Sequence, residues 1–394
     1  MEYYMFCHFG PNTFSGLEWG LGTEDPDIFN PTELDCAQWV STAKAAGMKG
    51  IILTAKHHDG FCLWPSAFSN HTVARSSWRD GKGDVVAELR RACDSLDFPM
   101  GVYISPWDRN HPSYGTDAYN DVFASTIAEV HGKYGPFFEQ WFDGANGGAM
   151  IPDYDWPLFN GTVHEHSPHA IIFSDVGPGC RWIGNESGYA GETNWCRLDV
   201  EGFEPGVKAP AAEILNSGQS DGAAWVPGEV DVPLRDGWFW NSTNEGSIKS
   251  VDALMKIWFE SVGRGCNLIL NVAPDSRGLI PEADSLRLME FKHARDDYFG
   301  HAQATRRHKG RNTVLRLKSP ARCIVLQEDI RYGQKIRSFV VEARKEGEWR
   351  QIAGGTTVGH KRIIPFDGVV DSGKIRVRVT DSFADPMLRS VTVY

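Results

Sequence analysis

The chain has 394 residues, 41% hydrophobic and 23% charged, with a formal net charge of −11; that length allows one large domain and a smaller second one. The acidic balance argues against general nucleic-acid binding, which needs a basic face, and no run of about 18 or more apolar residues is present to form a membrane-spanning helix. Met1–His8 carries neither the basic segment nor the cleavage site of a secretory signal, so the cytoplasm is the default expectation, unless a leader precedes this start.

Strands and helices alternate from the beginning. Tyr3–His8 reads as a strand. After Pro31 and Thr32, Cys36, Trp39, Val40 and Ala43 fall on one helical face, which Gly47 ends. Gly50–Thr54 is a second strand; Val86, Leu89, Cys93 and Leu96 make a second helical stripe; Met100–Ser105 is a third strand, followed by a helix over Tyr119–Tyr134. Phe137–Asp143, Ala170–Ser174, Asn194–Asp199, Glu229–Leu234 and Cys266–Asn271 complete eight strands, with later helices over Val251–Val262 and Glu282–Asp296. Such alternation implies a parallel sheet, and eight units imply a (β/α)8-like TIM barrel over residues 1–300. Gly177–Gly246 is poor in helical periodicity and rich in Gly, Pro and Trp, so long loops are expected over the mouth there.

His301–Arg311 reads as a polar, basic connector. Beyond it, Thr313–Leu317, Cys323–Gln327, Ile336–Ala343, Trp349–Ile352, Lys361–Pro365, Lys374–Thr380 and Ser390–Tyr394 tend to alternate apolar and polar residues. That pattern predicts a C-terminal antiparallel β-sandwich over residues 301–394. The eight Cys are scattered without a CxxC pair, several in apolar runs, and read as buried free thiols rather than disulfides or a zinc site. The 14 Trp fit either aromatic binding platforms or a large aromatic core.

In a parallel barrel, the C-terminal strand ends face the active-site mouth. Five ends or following loops carry polar and aromatic groups: His8-Phe9-Gly10, Lys56-His57-His58-Asp59-Gly60-Phe61, Tyr103-Ile104-Ser105-Pro106-Trp107-Asp108, Trp141-Phe142-Asp143-Gly144 and Arg181-Trp182-Ile183-Gly184-Asn185-Glu186. Asp143, at a strand tip beside Trp141, suits a nucleophile at an anomeric carbon, with an indole to pack on a sugar face; the plainer alternative is an Asp that caps the next turn. Glu186 and Glu192 are candidates for the partner acid/base, or are merely solvated or paired with Arg181. His57 and His58 fit hydrogen bonding to sugar hydroxyls better than a shared metal, because adjacent residues in extended chain point to opposite sides.

Taken together, these strings resemble the signature of the family 29 glycoside hydrolases, the retaining α-L-fucosidases, from residue 3 to about residue 300. The resemblance implies that Asp143 forms a fucosyl–enzyme intermediate. It also implies that His8, His57, His58, Tyr103 and Trp141 hold the fucose, with Arg181 and Trp240 completing the pocket and Glu18-Trp19 as a further contact. No cofactor and no metal are expected. The strings Ser105-Pro106-Trp107-Asp108-Arg109-Asn110 and Trp182-x-Gly184-Asn185-Glu186 are similar to the subgroup acting on α-1,3/1,4-linked fucose of branched glycans, which selects Glu186 over Glu192 as acid/base. Trp225, Glu229 and Asp231 are candidate contacts for a second sugar, and Trp240 or Phe61 for the 6-deoxy methyl group. The expected partner is therefore a fucosylated oligosaccharide or glycoconjugate. The alternatives are a fucose-binding protein without catalysis, a broad-specificity α-L-fucosidase, and a metal-dependent barrel hydrolase using the three His.

Overall fold

The structure is a computed structural model that describes residues 1–147 and 153–394. Strand β1 (Tyr3–Cys7) is buried along its whole length, as a strand must be when helices cover one side and a barrel interior the other. It is followed by β2 (Ile51–Lys56), β3 (Met100–Ile104), β4 (Glu139–Trp141), β5 (Ile171–Ser174), β6 (Cys180–Trp182), β7 (Gly228–Pro233) and β8 (Asn267–Asn271). Each pairs in parallel with its neighbours, and β8 closes the barrel against β1 with Tyr3 opposite Leu268.

Helices α1 (Cys36–Ala45), α2 (Val85–Ser95), α3 (Ala118–Tyr134), α4 (Trp156–His166), α5 (Val251–Glu260) and α6 (Glu282–Tyr298) cover the outside. Local chemistry starts several of them: the side chains of Asp35, Asp84, Asp155 and Ser250 each accept a backbone N–H of the first turn. The predicted stripe Cys36, Trp39, Val40 and Ala43 is the buried face of α1. Helix α4, with Trp156, Phe159 and Val163 inward, adds to the elements expected from the sequence.

Two expectations are corrected. The sixth strand is Cys180–Trp182, reached from β5 by the short link 175–179. Asn194–Asp199 is outside the barrel and contributes Arg197–Leu198 to a two-stranded antiparallel ribbon with Ala224–Trp225. A three-residue strand is too short to show a period, whereas Asn194–Asp199 is a longer, partly apolar stretch. The expected connector His301–Arg311 contains β9 (Ala304–Lys309), an edge strand, whose polar sequence suits a strand with one open edge.

Seven more strands follow: β10 (Asn312–Arg316), β11 (Ala321–Glu328), β12 (Ile336–Lys345), β13 (Glu348–Gly355), β14 (Arg362–Val370), β15 (Lys374–Ser382) and β16 (Met387–Val393). They form two antiparallel sheets, β9-β16-β11-β14 and β10-β15-β12-β13, around a core that includes Leu326, Phe339, Val341, Val377 and Val391. All eight Cys are free and buried, and burial raises the Cys7, Cys36 and Cys180 thiols well above their ordinary range.

The barrel interior is layered, because alternate residues of each strand point inward. Tyr4 and Phe6 of β1, Ile52, Tyr103, Trp141, Phe173, Cys180 and Ile269 pack there as one cluster. The same alternation carries β1 up to His8, β4 from Glu139 through Trp141 to Asp143, and β7 from Glu229 to Asp231.

At the other face, Glu2 binds His360 at 2.9 Å and Lys361 of the sandwich. Burial alone would raise its carboxyl, but the hydrogen bond from His360 and the charge of Lys361 hold it at about 2. A folded-state value below the ordinary one means stability that is present above the unfolded value and lost as pH falls toward about 2. Thermal melts should therefore show Glu2→Gln below the parent at pH 7, with the gap narrowing at about pH 3.

Candidate active site

Above the C-terminal end of the barrel opens a cavity of about 290 Å³. Asp143 stands just past β4, and its two oxygens are held separately: Oδ1 accepts the Ala145 N–H at 2.7 Å, and Oδ2 accepts the Tyr103 hydroxyl at 3.0 Å. His58 Nε2 lies 3.8 Å from the same Oδ2. Burial raises the Asp143 carboxyl, while the Ala145 and Tyr103 donors oppose that rise. Glu186 lines the same cavity on the loop after β6, and Trp238 Nε1–H donates to its Oε2 at 3.1 Å. Burial raises Glu186, Trp238 opposes, and the charge of Asp143 adds to the rise. Glu192 does not join them; it faces Arg362 of the sandwich, 3.5 Å away.

The three His are neutral donors and acceptors. Burial lowers His8 and His58 to about 3 and His57 well below its ordinary value. For His8 the tautomer follows from its partner: Asn271 Nδ2 donates to the Trp238 carbonyl at 2.7 Å, so Asn271 Oδ1 accepts from His8 Nδ1–H at 2.9 Å. Nε2 of His8 is then an acceptor. His58 Nδ1 pairs with the Ser105 hydroxyl at 2.7 Å. The expectation that His57 and His58 point to opposite sides fails: β2 ends at Lys56, the Gly60 N–H closes a turn on the His57 carbonyl, and both rings face the cavity, 4.0 Å apart. Gly60 has φ +79, and a Cβ there would lie 2.3 Å from Asp108 Oδ1, so glycine is required for this turn.

Aromatic faces make the remaining walls. Trp141 stacks on Phe173 with centroids 3.9 Å apart, and Phe6 packs against Trp141 at 5.1 Å. Trp19 lines the rim, edge-on to His58 and Trp107. Asp231 is also in the cavity wall, accepting Trp182 Nε1–H at 2.9 Å. Burial and then the charge of Glu186 raise it well above its ordinary range.

Several residues expected in the pocket are elsewhere. Arg181 sits between the inward Cys180 and Trp182, so alternation turns it out of the barrel, where it donates to the carbonyls of Leu215 and Val226 and to Asn194 Oδ1. Tyr103 is fully buried in register with Trp141 and does not line the cavity; its hydroxyl holds Asp143 instead. Glu18 is engaged from the side, accepting the Trp238 N–H at 2.8 Å. Glu229 is deep in the barrel, bound to Tyr4 and Trp141. Trp225 is exposed on the two-stranded ribbon, and Phe61 is core, packed with Phe29 and His71. Trp240 is half-buried and does not line the cavity; Trp238 does.

The cavity residues that were not expected include Phe6, Phe173 and Trp182 and, most consequentially, Trp238 and Asp175. Trp238 is brought in by Gly237, whose φ is +85 and where a Cβ would meet Glu18 Oε1 at 2.4 Å. Asp175 lies just past β5, and its Oδ2 accepts the Gly206 N–H at 3.2 Å. Burial, opposed by that N–H and reinforced by Asp143, pushes it up to about 6. A carboxylate directly after the predicted strand Ala170–Ser174 is the same signal that marks Asp143.

A closed eight-stranded parallel barrel with acids, neutral His and indoles gathered over its C-terminal end defines a carbohydrate-active hydrolase. The alpha-L-fucosidase family profile matches residues 12–293, and the chain belongs to this family, the family 29 glycoside hydrolases, as an α-L-fucosidase. It is 39% identical to alpha-L-fucosidase 1 of Arabidopsis thaliana, over 99% of this chain and 84% of that protein. The crystal structure of a glycoside hydrolase 29 family member from an unknown rumen bacterium is 41% identical, with a TM-score of 0.94 over 100% of this chain and 75% of that one. A Ruminococcus gnavus GH29 fucosidase in complex with fucose is 29% identical, with a TM-score of 0.87 over 100% of this chain and 92% of that one.

The Asn271 contact gives a test of the His8 assignment. Asn271→Ala frees the tautomer and leaves a buried imidazole N–H unpaired, which costs about 1–3 kcal/mol. The affinity for fucose, measured as a competitive inhibitor, should weaken by about tenfold or more.

Proposed function

We propose that this α-L-fucosidase is a retaining exo-enzyme that removes terminal α-1,3/1,4-linked fucose from branched, Lewis-type glycans by double displacement through a fucosyl–Asp143 intermediate. The observation that carries the proposal is the presence of Asp143 and Glu186 in one cavity with different surroundings. Two acids whose environments separate their proton affinities can divide the roles of nucleophile and acid/base. Asp143, accepting two hydrogen bonds, is suited to remain ionised. Glu186, raised by burial and by the Asp143 charge, is suited to carry the proton.

In the first step Asp143 attacks the anomeric carbon while Glu186 protonates the departing glycosidic oxygen. In the second, Glu186 takes a proton from water as that water displaces Asp143. His8, His57 and His58 serve fucose hydroxyls as neutral partners. Phe6, Trp141 and Phe173 offer apolar faces to the ring and its methyl group. Trp19 and Trp182 stand where the next sugar would leave the cavity. The fucose complex of the Ruminococcus gnavus relative supports a fucose-sized occupant. We place the catalytic unit in residues 1–300 and a supporting sandwich in residues 301–394.

Asp143→Ala is expected to retain the parent melting temperature and lose turnover by at least about 10³-fold, measured as fucose release. The kcat/KM profile should be bell-shaped, with its alkaline limb above the ordinary Glu range because Glu186 is raised. Glu186→Gln should remove that limb for a nitrophenyl fucoside, whose leaving group needs little protonation. Incubation with a Lewis-type trisaccharide beside a nitrophenyl fucoside tests the linkage: preferential release from the trisaccharide is expected. Equal release from both would return a broad-specificity enzyme, and release from neither a fucose-binding protein.

A further inference from the structure

Below the active site, in a deeper layer of the barrel interior, lies a cluster that the chemistry above does not use. Glu139 opens β4, Cys180 opens β6, and Tyr4 and Glu229 are second in β1 and β7; all four are buried. One oxygen of each Glu and the Cys180 sulfur lie within 4.8 Å of one another. The Tyr4 hydroxyl contacts both acids, Glu229 Oε2 and, at 3.0 Å, Glu139 Oε2. A phenol has one proton, so it cannot donate to two carboxylates at once. Trp141 Nε1–H donates to Glu229 Oε1 at 3.0 Å, which marks Glu229 as the acceptor of the two.

We propose that Glu139 is kept as a neutral carboxylic acid that donates its O–H to Tyr4, that Tyr4 donates in turn to an ionised Glu229, and that this ordered chain holds Trp141, and through it the nucleophile, in place. The other oxygen of Glu139, Oε1, is buried without a hydrogen-bond partner among the described residues. A carbonyl oxygen of a neutral acid tolerates that far better than a carboxylate oxygen does. Two adjacent acids in a dry interior also cannot both ionise. Burial, then the Glu229 charge, pushes Glu139 well above its ordinary range. Burial leaves Glu229 raised as well, but less than Glu139, because Tyr4, Glu139, Trp141 and Asn267 oppose the rise.

The consequence reaches the cavity through one ring. Trp141 stacks on Phe173 at 3.9 Å and on Tyr103 at 5.4 Å, and Tyr103 in turn holds Asp143. If the Glu229 acceptor is lost, the indole N–H is orphaned and the ring is held by stacking alone. Glu139, Tyr4 and Glu229 are thus positioning residues; none lines the cavity.

Infrared spectroscopy of the whole protein labelled with 13C-glutamate tests the protonation directly. A glutamic-acid carbonyl band should persist unchanged from about pH 6 to about pH 9, far above the ordinary Glu range. It should survive Glu186→Gln and disappear in Glu139→Gln. In turnover, Glu139→Gln replaces the acid O–H by an amide N–H that makes the same donation, and kcat/KM should fall by less than about threefold. Glu229→Gln sets an amide N–H against one of its donors, and kcat/KM should fall by about tenfold or more. Absence of the band from the parent protein, or equal loss in the two variants, overturns the proposal. A stoichiometric metal bound by Glu139, Cys180 and Glu229 would overturn it too, because it requires both acids ionised. The activity arm rests on the proposed function, whereas the infrared arm does not. A persistent band in a protein that releases no fucose would sink the former and leave this proposal standing.

Discussion

The mouth of the barrel is organised around one buried ion pair, Lys56 with Asp108, 3.0 Å apart and almost wholly withdrawn from solvent. Taking two charges out of water is costly, and the pair persists because its remaining valences are also filled. Lys56 Nζ donates to the Ser105 carbonyl, and Asp108 accepts the backbone N–H groups of Asn110 and His111. Burial works against the Asp108 charge, but Lys56 and those N–H groups hold the carboxyl below its ordinary value. The pair ties the end of β2 to the loop after β3. From that loop, Arg109 and Asn110 reach across to the carbonyls of Gly20 and Gly22 and so fix the segment that carries Trp19. His58 is fixed from the same loop, through Ser105. The rim of the cavity is therefore one connected set of contacts rather than a collection of independent loops.

Depth along each strand decides what a polar residue does. A strand rises about 3.3 Å per residue and tilts by about 36° in such a barrel, so successive residues on the same inward face differ in depth by about 5 Å. Glu139 and Asp143 lie on one strand and its extension, yet the first is sealed beneath Trp141 and the second reaches the cavity. Glu229 and Asp231 repeat the arrangement on the opposite side. Four acids of similar intrinsic chemistry thereby become two buried structural groups and two cavity groups, with no change in residue type.

That layering also explains what the sequence disclosed and what it hid. Helical periodicity located α1 and α2, short apolar runs located β1, β3 and β8, and the residues just past strand ends located His8, His57, His58 and Asp143 in the cavity wall. Depth is not visible in a pattern of period two, so Glu229 and Asp231 looked equivalent. Strand β6 has three residues, too few for any period, and its true register is what turns Arg181 outward. Trp238 and Trp240 are two residues apart in a Gly- and Trp-rich loop, and the contact that holds Trp238, Glu18 against its N–H, joins residues 220 positions apart.

The loop carrying Glu186 continues into a segment gripped by the sandwich. Gln334 brackets it, accepting the Cys196 N–H at 2.9 Å and donating to the Asn194 carbonyl at 2.8 Å, and Thr357 accepts the Asn194 N–H. The second unit thus braces, from outside the barrel, the long segment between β6 and β7 that carries Glu186.

The eight sealed thiols have a different consequence. They are spread from β1 to β11, and burial keeps them protonated and out of reach. A thiol alkylates only as an accessible thiolate. Each cysteine therefore becomes a chemical clock for the opening of its own neighbourhood: Cys180 reports on the barrel interior, Cys7 on the layer between barrel and helices, and Cys323 on the sandwich. The order in which they capture an alkylating reagent would reveal, without any introduced label, whether the two units come apart together or in turn.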